Sequence, residues 1–306
     1  MFHEVKFEIG RLLQSDLPIM PPSNLYSGPA LEFWTKIHSD VGYRSLYADL
    51  SAAVFVDRIE QLCAGSRINL VWLGVGSGDT ELEITKVIHE KDIVGKLIIH
   101  DELPEQVERA AQKFKEKFSS LPISTITGDF HGLTFPQKDL PDSKYLIGIL
   151  GLTMTNITDF DVVLEGISRQ LDSKDLFMAD FLFDKTNGGH PVIVTPDKSS
   201  TQRPDMTFSD DEVTWFKLAY ANYQNTLSRK VSIEQIEISF PIQQFNGGYC
   251  VNIEANVKGE KDPHTVVRLL RCQNDLVDRI FRENGFYVEE SYGTNGHTHL
   301  KIVSRS

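Results

Sequence analysis

The chain has 306 residues, 41% of them hydrophobic and 24% charged, and a formal net charge of −12. That length can bury a sizeable core and suits one elaborated domain better than two large ones, while a surface so acidic would repel a phosphate backbone, so no nucleic-acid partner is expected. No apolar run reaches spanning length, and "MFHEVKFEIGRLL" has acids where a signal peptide has basic and apolar regions, so a soluble, cytoplasmic protein with no membrane partner is expected.

In chain order, "DLPIMPPSNLYSG" carries Pro18, Pro21 and Pro22 and reads as an extended arm, over a pocket or as a free end. Apolar residues at helical spacing (Leu31, Trp34, Ile37; Leu46, Leu50, Val54) predict two cap helices broken around Val41-Gly42. Strand and helix then alternate. Strands are read at 69–73, 97–100, 123–127, 145–150 and 176–183, and helices near 80–89, 104–118 and 159–170. Such alternation builds a parallel sheet covered by helices on both faces.

After a polar loop rich in Gly and Pro, Ser209 and Glu212 have capping-box spacing and open a helix with Val213, Phe216, Tyr220, Tyr223 and Leu227 on one face. Asn246-Gly247-Gly248 reads as a hairpin turn. A last helix over 266–284, stopped at Gly285, and two strands, "FYVEESYG" and "HTHLKIVS", finish the chain. The cysteines Cys63, Cys250 and Cys272 form no C-x-x-C pair and read as buried free thiols.

The glycines of "NLVWLGVGSGDTELEIT" draw the chemistry together. Gly74, Gly76 and Gly78 follow the first strand, where open α/β sheets bind ligands, although a tight strand-to-helix turn needs glycine for backbone reasons alone. The dinucleotide fingerprint G-x-G-x-x-G fails, since its last position falls on Asp79 or Glu81, and the triphosphate loop lacks Gly-Lys-Ser/Thr. Acids at the helix start discourage a pyrophosphate, which needs positive potential there, although acids favour helix N-termini in any case. S-adenosylmethionine (SAM), a cation without phosphate, meets no such obstacle. It requires a carboxylate ending the second strand for its ribose, met by Asp101, and a polar group ending the third strand for its adenine, met by Asp129 beside Phe130.

"VWLGVGSGD", "IIHDE", "TGDFHGL" and "GILGLTMTNITDFDVVLEGISRQL" resemble the class I SAM-dependent methyltransferases. More narrowly, they resemble the histidine Nα-methyltransferase family of ergothioneine biosynthesis, distantly but collinearly from about Leu25 to Val303. "LYSGPALEFWTKI" is similar to that family's upstream segment, and Gly151 to Asn156 is similar to its Gly-Ser-Thr-Ile-Gly-Asn, which adds Gly151 and Thr153 to the cofactor-binding set. The resemblance implies a Rossmann-like sheet, parallel with one antiparallel C-terminal strand, a helical N-terminal cap and an inserted α+β substrate region. It implies that Gly74, Gly76, Asp101, Asp129 and Phe130 line the cofactor and that Asn156 and Tyr26 approach the acceptor. The chain departs from the family at Phe208, where the family has tyrosine, and at Val266 and Arg268, where it has Glu and Ser. With Phe216, these are the expected substrate-binding positions, and their identity points away from histidine.

The expected division is an arm and cap over 1–64, a SAM-binding core over 65–184, a substrate region over 185–263, and a C-terminal helix and strands over 264–306. Methyl transfer from a sulfonium is an in-line displacement, so the protein mainly aligns a neutral nucleophile and excludes water. Tyr26, Tyr43 and Asn156 are expected to orient the acceptor; packing at the cap edge for the tyrosines, and a helix cap for Asn156, are the alternatives. His297 and His299 share a strand face, but with no third ligand nearby no metal is predicted. Small-molecule methyl transfer leads. A SAM cyclase or lyase releasing methylthioadenosine and a non-catalytic binding module are the other readings. The sequence leaves the oligomeric state open.

Overall fold

Parallel strands covered on both faces read as continuous apolar runs, and "INLVWL" is buried at every position of its strand. The structure, a computed structural model, describes residues 17–39, 52–63, 65–138, 142–151, 153–157, 160–182, 193–194, 206–294 and 298–306. The chain runs through α1 (Gly28–Ser39), α2 (Ala52–Cys63), β1 (Ile68–Leu73), α3 (Asp79–His89), β2 (Val94–Asp101), α4 (Pro104–Lys117), β3 (Ile123–Thr127) and β4 (Lys144–Ile149). A short α5 (Thr153–Asn156), α6 (Phe160–Gln170), β5 (Leu176–Leu182), β6 (Ile193–Val194), β7 (Met206–Thr207) and α7 (Asp210–Thr226) follow. It ends with β8 (Ile236–Ser239), β9 (Ile242–Phe245), β10 (Gly248–Val257), β11 (His264–Cys272), α8 (Asn274–Glu283), β12 (Phe286–Thr294) and β13 (Thr298–Arg305).

These elements form two compact units. One comprises Gly42–Met154, Asp159–Leu182 and Asn274–Ser306 and holds a seven-stranded sheet in the order β12-β13-β5-β4-β1-β2-β3. β1 pairs in parallel with β2 and β4, and β2–β3 and β4–β5 are parallel too. β13 is antiparallel to both β5 and β12, so it alone runs against the others. The expected mostly parallel sheet with one reversed C-terminal strand is therefore the observed one. Ile68, Leu70 and Trp72 of β1 pack with Ile59 of α2, Ile88 of α3 and Ala110 and Phe114 of α4.

Lys301 of β13 is fully buried and reaches Asn274 and Asp278 of α8, which ties the helix to the reversed strand. Gly285 takes φ 79°, one residue beyond Asn284, which follows the end of α8 at Glu283, the left-handed stop read in the sequence.

The other unit comprises Met1–Val41, Thr155–Thr158 and Phe183–Gln273. Its sheet has the order β11-β10-β8, with β9 pairing β10. The β9–β10 hairpin turns at Asn246 and Gly247, where Gly247 has φ 101°. The Ser209 side chain accepts from the Glu212 N–H at 3.1 Å while Glu212 accepts from the Ser209 N–H at 2.7 Å, the reciprocal cap expected for α7. Residues Pro18 to Met20 lie extended along β11, with Thr265 N–H donating to Pro18 O at 3.0 Å and Met20 N–H to Thr265 O at 2.8 Å.

One reading changes. Where the sequence suggests a single helix over 266–284, the chain is a strand to Cys272 and a helix only from Asn274. "HTVVRLLRC" begins with β-branched residues that pair along β10, and this pairing overrides the helical spacing of its leucines. The segment consequently belongs to the four-stranded sheet and not to the seven-stranded one.

Candidate functional site

β1 ends at Leu73, beside the point where strand order reverses between β2 and β4, the position at which doubly wound sheets open a crevice. There Gly74, Gly76 and Gly78 take φ of 64°, 51° and 73°, a left-handed path that only glycine follows freely. Gly78 N–H closes the turn on Val75 O at 2.8 Å. Lys113 of α4 donates to Ser77 O and to Asp79 Oδ1, each at 2.8 Å, and so holds the turn from the neighbouring helix.

Asp101 ends β2 and clasps that turn. Its Oδ2 accepts the Gly76 N–H at 2.9 Å, and its Oδ1 accepts the Leu103 N–H at 3.0 Å. An ionised carboxylate offers about four lone-pair sites, so this half-buried group retains capacity for hydroxyl donors. Gln106, in the first turn of α4 just beyond, is 2% exposed, and neither amide atom has a hydrogen-bond partner among the described residues.

The third strand contributes Asp129 and Phe130. Asp129 caps a short turn by accepting the His131 N–H at 2.8 Å and also contacts the His131 ring; these bonds hold its exposed carboxyl below its usual range. Phe130 packs edge-on to His100, with ring centres 5.1 Å apart. A Cβ at Gly74 would stand 3.0 Å from the Phe130 ring and 3.1 Å from Thr153 Cγ2, so glycine is needed there for close approach as well as for its φ. Thr153 donates its hydroxyl to Leu150 O at 2.8 Å, and Gly151 turns the chain before it at φ 75°. The structure thus brings the glycine turn, Asp101, Phe130 and Thr153 together in one unit.

Buried His100 bonds Gly128 O through Nε2 at 2.8 Å. A carbonyl can only accept, so that nitrogen carries the proton, and burial lowers the ring's pKa. Glu81 of α3 is 5% exposed, and its carboxyl is pushed from its ordinary 4.5 up to about 8, by burial first and then by Asp180, Asp79 and Asp101. Glu102 is likewise raised by burial and by Asp129 and Asp101. So many acids in one place favour a ligand with positive charge and disfavour a polyanion. An acceptor for sugar hydroxyls, an orphan buried amide and negative potential together fit SAM.

Sequence reasoning did not single out Glu81's shift, His100, Gln106 or Lys113, although "HD" at the end of a strand and "EQ" after a proline are visible signals of polar groups entering a buried crevice. Tyr43 and His297 lie outside the described residues, and the His299 side chain is likewise not described. Among the described residues no group of His, Cys, Asp and Glu is arranged to hold a metal, and no helix is long and apolar enough to cross a membrane.

The remaining positions lie in the other unit. Tyr26 is half-buried, with its ring 5.4 Å from Trp34 and 5.8 Å from Trp215. Phe208, Phe216 and Val266 are 4%, 3% and 1% exposed and pack in that unit's apolar core, Phe208 stacking on Phe240 at 4.6 Å. Arg268 is 2% exposed, and Asn156 ends α5, half-buried.

A second cavity, of about 350 Å³, is lined by Phe135, Lys138, Tyr145 and Gln170. Its polar groups are engaged internally. Lys138 pairs with Asp172 at 2.7 Å and with buried Asp175 at 2.6 Å, and Gln170 bonds Leu133 O and the Phe135 N–H, each at 2.8 Å.

No protein-family model matches the chain, and no curated protein matches it. Solved structures share its fold. A SAM-dependent methyltransferase from Clostridium acetobutylicum is 12% identical with a TM-score of 0.51, over 90% of this chain and 97% of that one. Magnesium protoporphyrin IX methyltransferase from Synechocystis, solved with SAH bound, is 11% identical with a TM-score of 0.50, over 92% and 97%. The fold is therefore the Rossmann-like fold of SAM-dependent methyltransferases.

Proposed function

We propose that this chain is a SAM-dependent methyltransferase acting on a small molecule, with the nitrogen of an amino acid or amine-bearing metabolite as acceptor. The observation that carries the reading is the clasp between Gly76 N–H and Asp101, 2.9 Å apart, at the carboxyl ends of β1 and β2, inside a fold shared with SAM-dependent methyltransferases. SAM supplies an electrophilic methyl group on a positively charged sulfur.

Asp101 would accept the ribose hydroxyls, and the left-handed glycine turn gives the ligand direct access to backbone. Asp129 and Phe130 would meet the adenine, with Gly151 and Thr153 completing the wall. The acids around Glu81 stabilise a cation in the crevice. Asn156, Tyr26 and Tyr43 would orient an amine that has lost its proton to solvent, so that its lone pair faces the methyl carbon. The segments read in the sequence resemble those of the histidine Nα-methyltransferases. Val266 and Arg268, standing where that family has Glu and Ser, argue for an acceptor other than histidine.

The test is incubation with SAM and a panel of amino acids and amines, followed by mass spectrometry of the nucleoside and of the panel. S-Adenosylhomocysteine with a singly or multiply methylated amine is expected. Methylthioadenosine instead would overturn methyl transfer in favour of intramolecular chemistry on the cofactor, and absence of SAM binding would overturn the reading as a whole.

A further inference from the structure

Gly74 has no room even for a methyl group. A Cβ there would lie 3.0 Å from Phe130 Cζ and 3.1 Å from Thr153 Cγ2, inside the roughly 3.5–4.0 Å at which carbon atoms rest against each other. A ligand seated against this glycine must bring its own atoms to the same spot. Space too small for one carbon is too small for a ligand, so Phe130 or Thr153 has to withdraw before anything can rest there.

The two side chains are held differently. Thr153 opens α5 and donates its hydroxyl to Leu150 O at 2.8 Å, which fixes its rotamer. Phe130 rides on a turn that has a glycine on either side. Gly128 takes φ 154°, a backbone that residues with side chains rarely adopt, and a Cβ at Gly128 or Gly132 would meet no atom within 4 Å among the described residues. Packing therefore demands neither glycine, whereas a hinge is served by both.

The turn is also bound in a way that lets it move as one piece. Asp129 accepts the His131 N–H at 2.8 Å, and Leu133 N–H donates to Phe130 O at 3.4 Å. Its root is fixed instead to β2: Gly128 N–H donates to Asp101 O at 3.2 Å, and Gly128 O accepts from buried His100 at 2.8 Å. Of the three residues between the glycines, Asp129 and His131 are exposed and only Phe130 turns inward. An outward swing about that root thus sacrifices the burial of one ring.

We propose that the turn from Gly128 to Gly132 is a gate: Phe130 stands closed over Gly74, and a ligand reaches the glycine turn only when the ring swings outward. Binding is then slowed by the fraction of molecules in which the gate is open. The name of the ligand rests on the methyltransferase reading; the closure itself is tested without it.

The experiment uses the full chain, rapid mixing with radiolabelled SAM, and NMR of ring-¹³C phenylalanine, with the Phe130 signal identified by its loss in Phe130→Leu. The wild-type association rate is expected to level off as SAM is raised, because opening becomes limiting. In Phe130→Ala it should stay linear and be about tenfold faster or more, with dissociation faster too, so that affinity changes less than either rate. The wild-type ring should show a nuclear Overhauser contact to the Thr153 methyl. That contact should vanish on saturation with SAM, and in Gly74→Ala without any ligand, since the new methyl takes the same space. Absence of the contact in wild type, a ring unmoved by bound SAM or by Gly74→Ala, or equal association rates in wild type and Phe130→Ala would overturn the gate. A protein that ignores SAM while its Phe130 ring is displaced in Gly74→Ala would uphold the gate and overturn only the methyltransferase reading.

Discussion

The indole of Trp72 occupies the volume that a side chain at Gly148 would fill: a Cβ there would lie 2.2 Å from Cζ3 and 2.6 Å from Cε3 of the ring. The two residues face each other in register on β1 and β4, and Trp72 anchors its far edge by donating Nε1–H to Thr85 Oγ1 at 2.8 Å. Gly148→Ala is therefore expected to destabilise the protein by roughly 3 kcal/mol, in the upper range for overpacking. Urea unfolding measures this. Pairing it with Trp72→Leu should recover part of the loss, since the two changes share one space.

Asp101→Ala removes the acceptor that holds Gly76 and, in our reading, the ribose. SAM affinity should fall tenfold or more by calorimetry, the scale of a lost charge-assisted pair of hydrogen bonds. Asp101→Asn keeps one acceptor oxygen for Gly76 and should fold normally while still binding SAM weakly. Unchanged affinity in both variants would remove the central support for a cofactor at this crevice.

Glu81 predicts a pH dependence. Its folded pKa, about 8, lies above its ordinary 4.5, so between these values the native state holds a proton that the unfolded chain has released. Stability from this group is present in full below pH 4.5 and is lost as pH rises towards 8, by an amount on the order of a few kcal/mol. Glu81→Gln should flatten this decline, so that its melting temperature overtakes the wild type's at alkaline pH. Parallel melting curves for the two proteins from pH 5 to 9 would contradict the assignment.

Asp175 is fully buried and accepts from Lys138, from the Tyr145 N–H at 2.8 Å and from the Asp172 N–H at 2.9 Å. Asp175→Ala would leave buried donors without their acceptor. A loss of about 3 kcal/mol is expected, measured by denaturant unfolding, with SAM affinity unchanged for protein that remains folded.

The doubly wound sheet was legible because strands such as β1 and β4 are continuous apolar runs, and helix ends carried their own signals, as in the stop at Gly285 and, in the other unit, the N-cap at Ser209 that starts α7. The glycine turn was legible as a turn, since three alternate glycines leave little choice of backbone. What could not be read were distances between residues remote in sequence. Nothing local announces that the acid at 101 reaches back to the amide at 76, or that Glu81 is buried near Asp180. The strand at 264–272 escaped because its leucines and valines satisfy a helical period as well as a strand's, and only the pairing with β10 decides between them.

The stretch from Pro18 to Met20, clipped to the Thr265 backbone through its N–H and its carbonyl, shields the outer margin of β11 at its first residues. An uncovered strand margin invites any extended peptide to pair with it. Proteolytic trimming of the leading segment would therefore first be felt as self-association, with soluble protein passing into sedimenting aggregates.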